Sequence, residues 1–527
     1  MKKLLSLAVA MLLALSALVP AALAEEPGKV LRVLYKEDPE TLDVQMTTDS
    51  YCIPLNCFDR LVEIESVDGL PQLVPGLADS WEVTEDGLTY TFHLHEGVTF
   101  QNGDPLTADD VAFTVTRMMD PVELKSNTDV YERVEGAMDY YKGEADSVSG
   151  VTALDDLTVQ FRLVEPCDFF LSLLATPAGA VYNRESTEGV SDFGTNPAVC
   201  FGTGPFQVTD WQLGSKVTMV ANPNYFKGAP AIDGIEMAII PDENTMRMEF
   251  EQGNADVFDF DFGRTQLEWF LANGYEDQIV SGRRLGTYYL MFNTAIEPLD
   301  NPNVRKALQM SINRQALLDS FYNGRGNLLN CFLSVGVPGH DDSAAEIPYD
   351  PEQAKQILAD EGYADGFDME LAVTANSSDL PVYKAISSEL KKVGVRATIS
   401  EIDSAAFYDI RRDGQLPSYY NNWSADFNDP DNFLYTFFSN KNNVTRSVNY
   451  GNEEIKALLD EARLMANHEE RMAAYTKIDN AVVHEDHVVL PMYQTEHMFC
   501  LSPRVKNFQV SWNGWSNMSY YTVTIED

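Results

Sequence analysis

Basic residues are scarce in this chain. Its 527 residues hold 37 Lys and Arg against 81 Asp and Glu, a formal charge of −44 at pH 7. Phosphate backbones and anionic lipid surfaces are bound through a basic footprint, so no nucleic acid or acidic membrane surface is expected as a partner. Cysteine is also sparse: Cys52, Cys57, Cys167, Cys200, Cys331 and Cys500 are all there is. None forms a C-x-x-C, which removes a zinc ribbon or thioredoxin-like motif. No Walker A sequence, G-x-S-x-G elbow or zincin H-E-x-x-H occurs. His484 and His487 are three apart, where a zincin needs four, and His93 and His95 read as a strand-face pair rather than metal ligands. The run Asp426-Phe427-Asn428-Asp429-Pro430-Asp431 lacks the fifth ligand and the sixth-position glycine of a calcium loop. No catalytic role, metal or cofactor is therefore expected. Low-complexity tracts and fixed-period repeats are missing too. The 45% hydrophobic and 22% charged content is that of a globular chain.

Long apolar runs are absent except at the start. Lys2 and Lys3 precede an apolar stretch from Leu4 to Leu23, and Ala22-Leu23-Ala24 stands before Glu25-Glu26-Pro27. This is the pattern of a signal peptide over 1–24, cleaved after Ala24. Nothing else approaches the about 20 apolar residues of a membrane span. Export permits disulfides among the six cysteines, but the sequence does not choose their pairing. No cysteine adjoins the cleavage site, so no lipid attachment point is expected.

The length allows about three domains. Alternation from Leu88 to Leu94 predicts a half-buried strand. Thr107 and Asp110 predict a capping box ahead of Val111, Val115 and Met118. Asn301-Pro302 opens another helix. Asp350, Pro351 and Gly362 punctuate a third. The strand Met369 to Thr374, the stripe Val382, Ile386, Leu390, Val393, and the strand Val395 to Ile399 predict a parallel crossover. Helices are also expected near Glu453 to Met465 and Glu469 to His484. The class is α/β with mixed sheets.

Four separated stretches carry a family resemblance. The first contains Leu73-Val74-Pro75-Gly76-Leu77-Ala78 with Trp81, then Asp86 to Phe92 and Phe100 to Val111. The second contains Gly202-Thr203-Gly204-Pro205-Phe206, Asn222-Pro223-Asn224-Tyr225-Phe226 and Gly253-Asn254-Ala255-Asp256. The third is Phe292-Asn293 with Asn303 to Leu308, and the fourth Trp423-Ser424-Ala425-Asp426-Phe427. In this order they resemble the periplasmic oligopeptide- and dipeptide-binding proteins, the solute receptors of ABC importers (extracellular solute-binding protein family 5). Most of these residues read as structural, with Trp81 and Phe92 in a core and Gly202, Gly204 and Pro205 at a turn.

The resemblance implies a two-lobed periplasmic-binding-protein fold with mixed sheets, two hinge crossings and an extra domain on the first lobe. Matching order places the first lobe at 25–58, 184–284 and 495–527, the extra domain at 59–183 and the second lobe at 285–494. It further implies a monomeric, non-catalytic receptor in the periplasm or on the outer face of the cell membrane. Its partners would be a small peptide or peptide-like solute and the ABC permease subunits. Non-peptide solutes such as a metal chelate, glycan or opine are the alternative, and a secreted peptide hydrolase is the rival from another class. By the same resemblance Asp426 meets the ligand's ammonium, a structural carboxylate in the following turn being the alternative. Asn422, Trp423 and Ser424 lie on the strand whose backbone pairs with a peptide, Ser424 replacing a cysteine of such receptors. Arg411 matches an arginine that meets the peptide carboxylate in some of them, while Tyr420 stands where a second such arginine would be. Tyr288 and Tyr289 line the cleft or pack in the hinge, and Tyr51, more than Asp49, faces the ligand.

Overall fold

The computed structural model describes residues 28–47, 51–67, 70–122, 125–465, 467–513 and 518–526. The expected signal peptide and Asp49 lie outside them. The chain begins with β1 (Val30–Tyr35), a hairpin of β2 (Val62–Val67) and β3 (Leu70–Pro75), then β4 (Ala78–Val83), β5 (Thr89–Leu94), β6 (Val151–Asp155) and β7 (Thr158–Arg162). It continues through β8 (Phe206–Gln212), β9 (Lys216–Ala221), β10 (Gly234–Ile239), β11 (Val257–Asp259) and β12 (Ile279–Arg283). The remaining strands used here are β13 (Gly286–Phe292), β14 (Gly326–Leu328), β15 (Phe367–Thr374), β16 (Val395–Ile402), β17 (Ser418–Ser424) and β18 (Val489–Leu501).

Two lobes are built on one long strand. β18 runs 13 residues, buried throughout except at Glu496, as expected of a strand covered on both faces. Its first half pairs antiparallel with β13, Leu290 opposite Leu490, and β17 pairs on the far side of β13. Its last residues pair with β11 and β12, Phe258 and Ile279 both opposite Cys500. β1 then lies parallel between β11 and β10, and β9 and β8 extend that sheet antiparallel. β18 thus pairs with strands of both parts of this sheet, and β12 and β13, consecutive in the chain, pair with its opposite ends. The extra domain is the antiparallel sheet β4-β5-β7-β6 with the helix Ala108–Met118 against it. Its core gathers Phe92, Phe161, Phe170, Val111 and Val115.

Local chemistry explains the boundaries. β5 buries Tyr90, Phe92 and Leu94 and turns Thr89, Thr91 and His93 outward. The Asp110 carboxylate accepts from the Thr107 N–H at 2.9 Å and from its hydroxyl at 2.8 Å, and with the Thr107 side chain at the Asp110 N–H this forms the expected capping box. Asp350 accepts from the Gln353 N–H at 2.9 Å, starting the helix Pro351–Asp360. β15 and β16 pair in parallel register around the helix Leu380–Lys392. The last expected helix reaches His484: an α-helix over His468–Asn480 runs directly into a π-helical turn over Ala481–Glu485. All six cysteines are buried free thiols, so no disulfide forms among them.

The lobes touch across the gap between them. Phe427, next to Asp426, enters the extra domain's core and stacks on Phe169, ring centroids 5.3 Å apart. Arg471 and His468 both reach Asp168 of that domain. On the other side, Arg264 donates to the Tyr322 hydroxyl at 3.0 Å and to Asp379 at 3.2 Å.

Candidate functional site

Asp426 follows the end of β17 and is held from two sides. The Ala425 N–H donates to the Leu285 carbonyl at 2.8 Å, fixing the strand end to the crossing. Asn432, on the helix Asp431–Phe438, takes the Asp426 N–H on Oδ1 at 3.0 Å and returns its Nδ2–H to the carboxylate at 3.0 Å. The Trp423 indole N–H shares that Asn432 oxygen at 3.2 Å. The turn that follows is closed by Asp429, which accepts from the Asp431 N–H, so Asp426 is not its capping group.

That leaves the Asp426 carboxylate with Asn432 as its hydrogen-bond partner and no ion pair among the described residues. Asp426 is exposed on the side that faces a cavity of about 290 Å³, with protein close around the rest of it. Burial pushes its pKa up to about 6; the Asn432 bond opposes this, Asp129 adds to it, and Arg446 opposes it. The rest of the cavity wall includes Asp59, Tyr225 and Lys227, with Trp512 and Tyr521 from the C-terminal segment. Asp59 is satisfied within the protein, accepting from the Thr203 hydroxyl at 2.8 Å and the Tyr225 hydroxyl at 3.0 Å. Gly202 closes the turn below, since a Cβ there would meet the Cys57 carbonyl oxygen.

Of the eight expected site residues, Asp426 alone lines this cavity. Trp423 is half-buried, edge-on to Phe437 at 5.4 Å with the Arg446 guanidinium 5.0 Å from its ring. β17 is the edge strand of its sheet, as peptide pairing requires. Its outer edge is partly occupied: the Tyr383 hydroxyl closes Tyr420, and the Asn422 N–H donates to the Asn421 side chain at 2.8 Å. Ser424 lies opposite Gly286 on the inner edge. Arg411 lies over the Tyr408 ring at 4.8 Å, away from the cavity.

The paired tyrosines belong to the packing. Tyr289 is 2% exposed, wedged between Phe332 and Phe437, so it offers no surface to a solute. Tyr288 is buried among Tyr322, Tyr420 and Tyr493. They point to opposite faces of β13, and both are buried because both faces of the sheet are covered there, every residue of the strand being buried. Tyr51 donates its hydroxyl to the Thr47 carbonyl at 3.0 Å and accepts from Asn127 at 3.3 Å, pinning its own loop.

The sequence reading missed Asn432, Lys227, Tyr225 and Tyr521. Tyr225 stands in the turn motif Asn222-Pro223-Asn224-Tyr225-Phe226, whose pattern is structural, and the others carry no local signal. Asp259, Asp261 and His497 place three potential metal-ligand atoms within 4.8 Å. Asp261 is already paired with Arg284, and the His497 Nε2 lies 3.3 Å from Asp259, so all three have partners within the protein.

A cavity between two lobes joined by two crossings invites comparison with known receptors. The family of bacterial extracellular solute-binding proteins, family 5 Middle, matches residues 72–445. The chain belongs to this family. Heme-binding protein A of Haemophilus influenzae is 30% identical to this family 5 protein, over 89% of this chain and 87% of that one. The dipeptide-binding protein of Escherichia coli is 29% identical, over 90% of each. Among solved structures, the ABC transporter substrate binding protein CtaP of Listeria monocytogenes superposes with a TM-score of 0.81 at 23% identity, covering 95% of this chain and 100% of that one. Haemophilus influenzae OppA, solved in complex with the peptide RPPGFSPFR, gives 0.76 at 23% identity, covering 95% and 99%. The fold is thus the two-lobed one of this family. Among the described residues no helix is long and apolar enough to cross a membrane.

Proposed function

We propose that this family 5 protein is the extracytoplasmic receptor of an ABC importer and holds a short peptide-like solute between its lobes. The observation that carries this is the Asp426 carboxylate, facing an interlobe cavity with no cation of its own. A peptide's terminal ammonium supplies the missing charge through a charge-assisted hydrogen bond. The cavity sits at the lower end of the roughly 300–1,000 Å³ range of small-molecule sites, which suits a ligand of dipeptide size. Relatives named for dipeptides and for peptide transport support the same solute class. In this reading the lobes meet between residues 284 and 285 and between 494 and 495, and the extra domain spans 59–183. Solute stabilises the closed arrangement, and permease subunits recognise it. The protein acts as a secreted, non-catalytic monomer in the periplasm or on the outer face of the cell membrane.

Native mass spectrometry of the purified protein tests the proposal. A co-bound mass matching a small peptide is expected, and chromatography should return added peptide intact. Cleavage products absent from a heat-killed control would establish peptide hydrolysis instead. The non-peptide reading has one specific support, the name of the heme-binding relative. Hemin displacing the peptide in a competition titration would favour it.

A further inference from the structure

Six charged residues stand on the cavity wall: Asp59, Arg60, Glu63, Glu65, Lys227 and Asp426. Three are committed to the protein. Arg60 pairs with Glu63 and donates to the Phe58 carbonyl, and Asp59 is held by Thr203 and Tyr225. Glu65 is exposed on β2 and forms no ion pair among the described residues. The remaining two, Asp426 and Lys227, have opposite signs and come from opposite lobes.

Lys227 has no carboxylate within ion-pair distance among the described residues, in a chain where acids outnumber bases 81 to 37. Its backbone is fixed, because its carbonyl accepts from the Tyr521 hydroxyl at 2.7 Å. Its ammonium lies 5.5 Å from the Phe226 ring. Its side chain is exposed at the cavity wall; the protein around it and Arg60 lower its pKa, while Asp59 and Glu65 raise it. An ammonium with three donors in a partly desolvated place is completed by an anion. The strongly acidic chain repels anions in general, so a solute carboxylate enters only where a local cation receives it.

We propose that Lys227 receives the carboxylate of the bound solute, so that the cavity selects short peptides with both termini free. This rests on the peptide reading above and gives it a second recognition point. Arg411, the arginine expected from the resemblance, lies outside the cavity and takes no part.

The test is calorimetry with dialanine, trialanine and their C-terminal amides on wild type, Lys227→Met, Lys227→Arg and Arg411→Met. Amidation should weaken wild-type binding about ten- to a hundredfold, the range for a hydrogen bond to a charged group. Lys227→Met should weaken the free peptides by a similar factor and the amides hardly at all, since both changes remove the same contact. Lys227→Arg should restore part of the preference for free peptides, and Arg411→Met should keep all of it. Melting curves close to wild type show that the variants fold. Unchanged preference in Lys227→Met, its loss in Arg411→Met, or equal wild-type binding of free and amidated peptides overturns the proposal while the peptide reading stands. Wild type binding none of the four overturns both.

Discussion

Replacing Asp426 by asparagine tests the site through two quantities that move in opposite directions. Asparagine keeps the shape and can still accept the Asn432 Nδ2–H. Consider the empty protein first. The folded carboxyl binds its proton more tightly than the unfolded one, with a pKa near 6 against 3.8. Stability from this group is therefore greatest below about pH 4 and falls as pH rises toward 6. The shift would amount to about 3 kcal/mol at a dry site. The carboxylate opens onto a solvent-accessible cavity, and screening reduces that to about 1 kcal/mol. Asp426→Asn should thus stabilise the empty protein by about 1 kcal/mol at pH 7.5 and by nothing at pH 3.5.

Binding should show the reverse. The solute ammonium loses its counter-charge, at a cost of about 3 kcal/mol or roughly a hundredfold in affinity. Wild-type affinity should also fall below pH 6, to about a tenth of its plateau at pH 5, as the carboxyl takes up its proton. The variant should lack this dependence. Thermal melts from pH 3.5 to 7.5, with calorimetry of dialanine and N-acetyl-dialanine on both proteins, give both numbers. N-acetylation and Asp426→Asn should not add. Full additivity, or a destabilised empty variant with an intact preference for a free N-terminus, would refute the reasoning and return Asp426 to a structural part.

Three further outcomes follow from the geometry. Arg471, 0% exposed, donates through both Nη atoms to Asp429 at 2.8 and 2.7 Å. Arg471→Met should cost about 3–5 kcal/mol by leaving a buried carboxylate unpaired, and denaturant titration matching wild type would contradict this. The six cysteines should be inert to a thiol reagent in the native state, since burial pushes thiols such as Cys52 and Cys500 up to about 12. All six should react in denaturant without reductant, and fewer would reveal a disulfide. Gly202→Ala places a methyl group on the Cys57 carbonyl and should cost about 1–3 kcal/mol in a melt, a neutral result showing that the turn beneath the cavity yields.

What could be read in advance was local. Helix starts at Asp350 and Asn301, the reciprocal bonds of Thr107 and Asp110, and the alternation of β5 depend on residues a few positions apart. The charge imbalance and the absence of catalytic motifs are properties of composition and spacing, and they already pointed away from nucleic acid. The ordered blocks carried the family because turn, strand-end and helix-start residues recur at set places along the chain.

Of the expected site residues, Asp426 alone lines the candidate cavity, and it was reached through resemblance alone. Whether a charge is committed depends on what approaches it from distant sequence. Arg60 is paired and Lys227 is not; Asp429 has Arg471 and Asp426 has no cation. Tyr288 and Tyr289 became core because both faces of the sheet are covered at β13, leaving every residue of that strand buried. A continuous apolar strand says nothing by itself of which sheet receives each half, and β18 serves both. By itself the sequence determined the elements and their kin. Long-range packing decided which charges are paired and which line the cavity without a partner, because a side chain's partners are chosen in space and not along the chain.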